Sequence, residues 1–444
     1  MLDGIITLYN LIWLIINGYN YCPLIISRFN PEIRKNNLET LALEPKISIL
    51  LPAYKEGEIL EECVKRLYGA DYPSDKLELI LLTERDDKET NDIAKKLKER
   101  YPLKHVIVEE TKEPRGKPRA LNQGLKYANG EIVGVIDAED LISPDLFKKI
   151  AYKIKVEGFH AVQGILDMAN HYDGWKNQQF RGEYGYWFRT CLPALARSGF
   201  PVPLGGTTNF IKRNVLEELG GWDSYNVTED FELGLRLYNE GKKTAVTCPI
   251  TGRKRIVEDK YQVDLFDSVT REESPVSWRS WLKQRTRWQR GKIQTLKKYI
   301  SNPPKGIRRK FHTLMTCFSP HLGIISLSGI AFSIYAFLSN TELSTLIRGL
   351  TYANLGATGG CMYMQAKGYL DATRGEAIRF RKLRALENAI TLPGYWIAQW
   401  IADLRAIKQE YFEERKIFWE KTPHTGRHLK EGAYDKWSIN VTRL

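Results

Sequence analysis

From residue 46 onward the chain alternates between short unbroken apolar runs and stretches whose apolar residues recur every three or four positions. The runs Lys46 to Ala53, Leu77 to Thr83, His105 to Glu109 and Ile132 to Ile136 predict buried strands. The stretches Ile59 to Ala70, Glu89 to Tyr101 and Lys117 to Ala128 predict the helices between them. Alternating elements with short links make right-handed crossovers onto a parallel sheet covered on both faces. The expected fold class is therefore α/β with a mostly parallel sheet. Ligands of such sheets bind beyond the carboxyl ends of the strands. That rule brings Pro52-Ala53-Tyr54, Glu84 to Asp87 and Asp137 to Asp140 to one rim.

Downstream the pattern loosens. Ser143-Pro144 reads as a helix N-cap and first position, followed by a mixed region to about Val246. Pro249 to Pro275 reads as charged and irregular, and Val276 to Ile300 as a long helix rich in Trp and Arg. Pro303-Pro304 breaks the chain before an apolar tail. In that tail Pro320 to Leu338 is long and apolar enough to predict a bilayer span. Leu343 to Ala366, softened by Gly356, Gly359 and Gly360, and Leu386 to Ile407, ending in Asp403 and Arg405, read as weaker spans or interfacial helices. At the other end, Leu2 to Ile26 is mostly apolar but interrupted by Asn10, Asn17 and Asn20, which fits a membrane-associated helix or a packing helix. It lacks the pattern of a cleaved signal peptide. The expected organisation is a membrane helix over 1–30, a catalytic domain over 46–300, transmembrane or interfacial helices over 311–410 and a polar tail over 411–444.

Charge narrows the partners. Lys and Arg number 66 against 53 Asp and Glu, a net charge of +13. Such an excess suits nucleic acid, a membrane surface or an anionic small substrate. Much of it lies between Arg253 and Lys310 beside apolar segments, and no nucleic-acid-binding signature is present, so the lipid membrane and phosphate readings are favoured. Basic stretches at Arg308-Arg309-Lys310 and Arg379 to Arg384 flank the apolar tail and predict a cytoplasmic placement for both, hence a cell-membrane protein with a cytoplasmic catalytic domain. The six cysteines, Cys22, Cys63, Cys191, Cys248, Cys317 and Cys361, are far apart, which argues against disulfides or structural zinc. The seven histidines show no ligand spacing. Two glycosylation-like triplets, Asn226-Val227-Thr228 and Asn440-Val441-Thr442, are discounted in a cytosolic chain.

Three polar signatures carry candidate chemistry. Asp137, Glu139 and Asp140 directly follow an apolar run, and alternate carboxylates on an extended segment share one side. Oxygen ligands clustered there suit Mg²⁺ or Mn²⁺ bridging a diphosphate, while a solvated turn before a helix would show the same residues. Thr228-Glu229-Asp230 opens a helix running to Asn239. It fits either ordinary capping or a general base for an acceptor hydroxyl. Gln284, Arg287 and Trp288 fall on one helix face, with Trp281 extending the stripe. Arg grips a diphosphate with two donors and Trp offers a flat surface to a sugar, although a membrane-surface helix uses the same residues. Lys117, in Gly116 to Asn122, puts a cation at a helix start, and the glycines of Leu204 to Asn209 permit close backbone approach.

In this order the three signatures resemble those of inverting family 2 glycosyltransferases with a GT-A fold, of the membrane-embedded branch typified by cellulose and hyaluronan synthases. The resemblance spans Lys46 to Ile300 by motif and the flanking helices by arrangement. It implies that Asp137 and Glu139 hold a metal–diphosphate, that Asp230 is the catalytic base, and that Ala53, Tyr54, Glu56, Glu84, Asp86, Lys117, Ala138 and Arg287 surround the nucleotide sugar, with a UDP-sugar favoured. It further implies an acceptor and diphosphate wall of Gly206, Thr207, Thr228, Glu229, Gln284, Arg285 and Trp288. The implied activity is inverting transfer of a sugar to a glycan or lipid acceptor, foremost β-polysaccharide synthesis. Single addition to a lipid carrier and non-catalytic nucleotide-sugar binding are the alternatives. Three departures stand out: Glu139 occupies a usual Asp position, Glu84-Arg85-Asp86-Asp87 replaces the family's early Asp pair, and the apolar tail is thin.

Overall fold

The computed structural model describes residues 2–29, 44–57, 59–170, 174–240, 242–247, 254–259, 261–339 and 343–413. Cys248, most of the connector before residue 45 and the tail from 414, with Asn440-Val441-Thr442, lie outside them. After helix α1 (Leu2–Phe29) come β1 (Ile47–Ala53), α2 (Ile59–Tyr68), β2 (Leu77–Glu84), α3 (Lys88–Arg100), β3 (Lys104–Val108), α4 (Lys117–Leu125) and β4 (Ile132–Val135). Then follow α5 (Leu146–Ala151), β5 (Ala161–Met168), α6 (Trp175–Tyr186), α7 (Leu192–Arg197), β6 (Asn209–Lys212), α8 (Arg213–Glu218) and α9 (Glu229–Asn239). A hairpin of β7 (Lys242–Thr247) and β8 (Lys254–Asp259) precedes β9 (Val263–Glu272). The chain closes with α10 (Trp278–Ser301), α11 (Ile307–Cys317), α12 (Leu322–Leu338), α13 (Thr345–Ala372), α14 (Arg381–Ile390) and α15 (Leu392–Ile407).

Seven strands form one sheet in the order β3-β2-β1-β4-β6-β5-β9. All neighbours in it are parallel except β6, which runs antiparallel between β4 and β5. The reversal has a direct consequence for the rim. The amino end of β6, with the Gly205-Gly206 turn before it, lies beside the carboxyl ends of β1, β2, β4 and β9. Strand side chains feed two cores by alternation. Ile47, Ile49 and Leu51 pack on Leu60, Val64, Phe147 and Ile150 on one face. Leu50, Ile80 and Val133 pack on Leu121, Leu216, Leu233 and Leu237 on the other. Burial on both faces explains why these strands read as unbroken apolar runs.

The structure corrects several expected boundaries. The segment expected to be irregular, Pro249 to Pro275, contains β9, an edge strand of the central sheet. Its two-residue alternation is hidden because the register against β5 slips between Gly164 and Ile165, leaving Leu265 and Phe266 buried in succession. Ser143 is not a helix cap: α5 starts after Asp145, whose carboxylate accepts from the Ser143 hydroxyl at 2.8 Å. Leu386 to Ile407 is two helices, since Pro393 in the first turn of α15 has no N–H to continue α14. The apolar run expected as a single span forms a 17-residue helix, about 25 Å at 1.5 Å per residue, short of a hydrocarbon core of about 30 Å. Among the described residues no single helix is long and apolar enough to cross a membrane. The bent pair Ile307–Cys317 and Ser319–Phe332, at 48° to each other, passes by length and composition.

The helical layer is nonetheless apolar outside. Leu8 and Ile15 of α1, Ile330 and Ile334 of α12, Leu355 of α13 and Ile397 and Ile401 of α15 are all exposed. Buried ion pairs weld this layer to the sheet. Arg181 of α6 is fully buried and bonds Asp167 of β5 at 2.9 and 3.0 Å, and also Glu376 ahead of α14.

Candidate active site

The chain leaves β4 at Asp137 and turns under a tight brace. Asp140 points inward: its Oδ2 accepts from the Asp137 amide at 3.0 Å and from the Thr207 hydroxyl. Burial, with Asp137 and Glu139 alongside, pushes the Asp140 carboxyl well above the usual range. Ala138 fills the core beside β1, so Asp137 and Glu139 alone of this loop's carboxylates face a cavity at the sheet rim. Thr207, expected on the acceptor wall, is buried and serves the brace, also accepting from the Asp137 amide at 3.2 Å.

Lys117, first residue of α4, reaches into the same space. Its Nζ donates to Asp137 Oδ1 at 2.5 Å and to the Gly206 carbonyl at 2.8 Å. Burial disfavours its charge, but Asp137, Glu229 and Asp230 outweigh burial and raise its pKa. Gly206 marks where the groups meet, since a Cβ there would lie 3.3 Å from Asp230 Oδ2 and 3.8 Å from Lys117 Nζ. Two residues on, Thr208 takes a left-handed φ of 52°, a strained conformation for a β-branched residue. Its amide bonds Val135 O at 2.8 Å and its hydroxyl bonds Thr270 at 2.8 Å, which fixes the turn.

Thr228 precedes α9, and Glu229 and Asp230 form its first turn. Burial and then the charge of Asp230 bring Glu229 up to about 7. Burial also raises Asp230, against the Phe231 amide and the cations Lys117 and Arg287. Facing them on α10, Arg287 donates to Val227 O at 3.3 Å, and burial lowers its pKa against the pull of Glu229, Asp230 and Asp137. Gln284 and Trp288 line the same cavity, and Gln284 Oε1 is buried with no hydrogen-bond partner among the described residues. Arg285 is committed to packing. It forks onto Glu183 at 2.6 and 2.7 Å and lies between the rings of Phe180 and Trp288, at 4.2 and 4.7 Å.

Of the residues expected around a nucleotide, Ala53, Tyr54, Glu56 and Glu84 line the cavity. Asp86 does not line it; it forks onto Arg115 at 2.5 and 3.0 Å, and that guanidinium stacks 4.8 Å from the Tyr54 ring. Glu84 pairs with Arg119 at 3.1 Å. The structure thus gathers the residues inferred from sequence on one cavity except Asp86, Ala138, Asp140, Thr207 and Trp281, the last of which packs fully buried in the core instead of extending the stripe.

Four participants escaped sequence reasoning. Arg115 and Glu183 act through distant partners. Glu272 ends β9 on the rim, and burial with Glu139 nearby lifts it to about 8; with the alternation of β9 hidden, the sequence carried no signal for it. Gly291 lets α10 close on Thr228, because a Cβ there would collide with the threonine side chain.

The residues present fit a divalent cation. Asp137 and Glu139 offer hard oxygen donors in a setting where burial, and then neighbouring acids, push Asp140 and Glu272 toward protonation. Among the described residues no group of three or more His, Cys, Asp or Glu forms a closed metal site. Two such carboxylates suit Mg²⁺-type sites, in which one or two carboxylates share the ion with substrate phosphates.

The α/β sheet has a GT-A fold, the fold also of a solved mannosyltransferase from Pyrobaculum calidifontis in complex with GDP-Man and Mn²⁺. That structure shares the fold at a TM-score of 0.57 and 20% identity, over 94% of this chain and 100% of its own. The chain belongs to the glycosyltransferase like family 2, whose profile matches residues 45–291, more than half of its length. It is 29% identical to a probable glycosyltransferase, YdaM, of Bacillus subtilis over 68% of each chain. It is 27% identical to the β-monoglucosyldiacylglycerol synthase of a Nostoc strain over 61% of this chain and 54% of that one. It is 28% identical to the poly-β-1,6-N-acetyl-D-glucosamine synthase of Staphylococcus epidermidis over 43% of this chain and 45% of that one. The chain thus spans about half the length of those two synthases. The protein is a glycosyltransferase.

Gly291→Ala is expected to push α10 off Thr228, costing about 1–3 kcal/mol as an overpacked contact does, and to weaken donor binding. Urea unfolding and nucleotide titration measure both; an unchanged midpoint would mean that the helices do not meet there.

Proposed function

We propose that this enzyme is a membrane-bound, inverting transferase that moves a hexose from a nucleoside-diphosphate sugar, a UDP-sugar first, to the hydroxyl of a glycan or lipid acceptor. The observation that carries the reading is the meeting of Asp137, Lys117, Gly206, Asp230 and Arg287 in one cavity. Two cations and two outward carboxylates make a cradle for a diphosphate, and a separate acid pair faces it. In this reading residues 46–300 form the catalytic domain on the cytoplasmic face, and the helices over 1–30 and 311–410 associate with the cell membrane. Support for membrane association comes from the exposed apolar faces and from the amphipathic α14, with Arg381, Lys382 and Arg384.

The chain's residues divide the work by charge. Asp230, as carboxylate, takes the proton of the acceptor hydroxyl as its oxygen attacks the anomeric carbon opposite the leaving group. One displacement inverts that carbon. Lys117 and Arg287 stabilise the charge that grows on the departing diphosphate. Asp137 and Glu139 would hold Mg²⁺ or Mn²⁺, which when bound supplies further neutralisation of that diphosphate. Trp288, held in place by Arg285, offers the sugar an apolar face. The poly-β-1,6-N-acetyl-D-glucosamine synthase among the relatives favours polymer synthesis, and the β-monoglucosyldiacylglycerol synthase favours a lipid acceptor.

Asp230→Asn is expected to lower transfer by at least about 10³-fold while leaving nucleotide affinity within a few-fold. Donor turnover with Mn²⁺ and calorimetric titration with UDP separate the two, and wild-type turnover would exclude Asp230 as base. The base must be ionised, and its carboxyl is raised, so activity is lost as pH falls through the raised value. The decline in kcat/KM is expected at a pH above the range of an ordinary aspartate. A profile that falls only near the ordinary aspartate value of about 3.9 would contradict a raised base.

A further inference from the structure

The cavity that holds the acids does not end at them. It has a volume of 1470 Å³ and continues between α1, α12, α13 and α15. Small-molecule pockets take about 300–1,000 Å³, so a donor sugar leaves much of this space over. The inner end is charged, with Lys117, Asp230 and Arg287. At the outer end Ile330, Ile334 and Leu355 line the cavity while being 47%, 54% and 61% exposed. The mouth therefore opens sideways through the apolar outer face of the helical layer.

Three asparagines along the passage are tied to one another. Asn354 of α13 donates to Asn10 Oδ1 at 2.9 Å and accepts from Asn17 at 3.3 Å. These bonds clamp α1 onto α13 and remove the asparagines as partners for a sugar chain. A glycan lodged at the apolar mouth would lose hydration from many hydroxyls without replacement, a cost of about 1–3 kcal/mol for each one left unpaired. Hydrocarbon meets no such cost.

We infer that this cleft is the acceptor site, and that its ligand is a lipid with long apolar chains and a neutral headgroup ending in a free hydroxyl. The chains lie between α1, α12 and α13, and the hydroxyl reaches Asp230. The inference rests on the reading of Asp230 as base. That reading also sets the headgroup chemistry. A phosphate-headed lipid arrives already ionised and needs no base, whereas a hydroxyl needs one. In the step itself the lipid oxygen bonds to the anomeric carbon as the bond from that carbon to the diphosphate oxygen breaks. The hydroxyl proton passes to Asp230, and the nucleoside diphosphate leaves with the electron pair.

The test uses the full chain in phosphatidylcholine vesicles with or without dioleoylglycerol, or with polyprenyl phosphate, supplied with Mn²⁺ and a panel of UDP- and GDP-sugars. Mass spectrometry of the lipids is expected to show hexosyl-dioleoylglycerol only where dioleoylglycerol is present. Ile330→Trp, at the mouth, is expected to lower its formation by roughly tenfold, about 1.4 kcal/mol. UDP titration checks that this variant is folded. Ile324→Trp, exposed on the same helix but turned away from the cleft, is expected to keep the wild-type rate. Transfer to polyprenyl phosphate in preference to dioleoylglycerol, a polymer that grows without a lipid, or equal inhibition by both tryptophans would overturn the acceptor site. Failure to release nucleotide from any donor, with or without lipid, would instead remove the proposed transferase reading and the site with it.

Discussion

One buried ammonium holds the rim of this enzyme together. Lys117 starts α4, yet its partners come from three other segments: Asp137 after β4, Gly206 ahead of β6, and the acid pair at the start of α9. A cation shut away from water is tolerable only if paired, and removing one partner of such a pair leaves the other costly. The lysine and the acids therefore define a single arrangement of the four segments. The reversed strand β6 is what makes this possible, since it delivers a glycine turn to the end of the sheet where the parallel strands deliver acids.

A second set of contacts fixes the far wall. Arg285 is locked by Glu183 and by aromatic rings, and the absence of a side chain at Gly291 brings α10 down onto Thr228. Tyr395 of α15 accepts from Arg285 at 3.0 Å, and Asp403 accepts from Gln289 at 2.6 Å. The wall of the rim cavity is thus also the wall of the helical layer. A cavity that runs from one into the other follows from this shared helix, and it places an apolar approach directly beside charged chemistry.

How much of this was legible in the sequence depends on how local each cause is. The strands β1, β2 and β4 are buried on both faces, so their apolar runs stood out, and the rim acids followed from sheet topology. Strand β9 was missed because its bulge breaks the alternation that marks a strand. The α14–α15 boundary turns on one proline read as part of a longer helix. Gln284, Arg287 and Trp288 were found by helical spacing, but spacing has no means of showing that the neighbouring Arg285 turns away to Glu183, 102 positions earlier. Ala138 and Thr207 were assigned to ligand contact by their place in motifs, whereas one packs in the core and the other braces the loop. Residues that act through distant partners leave no periodic trace.

The central claim is that a diphosphate cradle and a separate base face one another across a single anomeric carbon, so that transfer takes one displacement. The configuration of the product tests this most directly. With an α-linked donor such as UDP-glucose, the anomeric proton coupling of the purified product by NMR is predicted to be that of a β-glycoside. An α-glycoside would require a second displacement or attack from the leaving-group side, and would contradict the account.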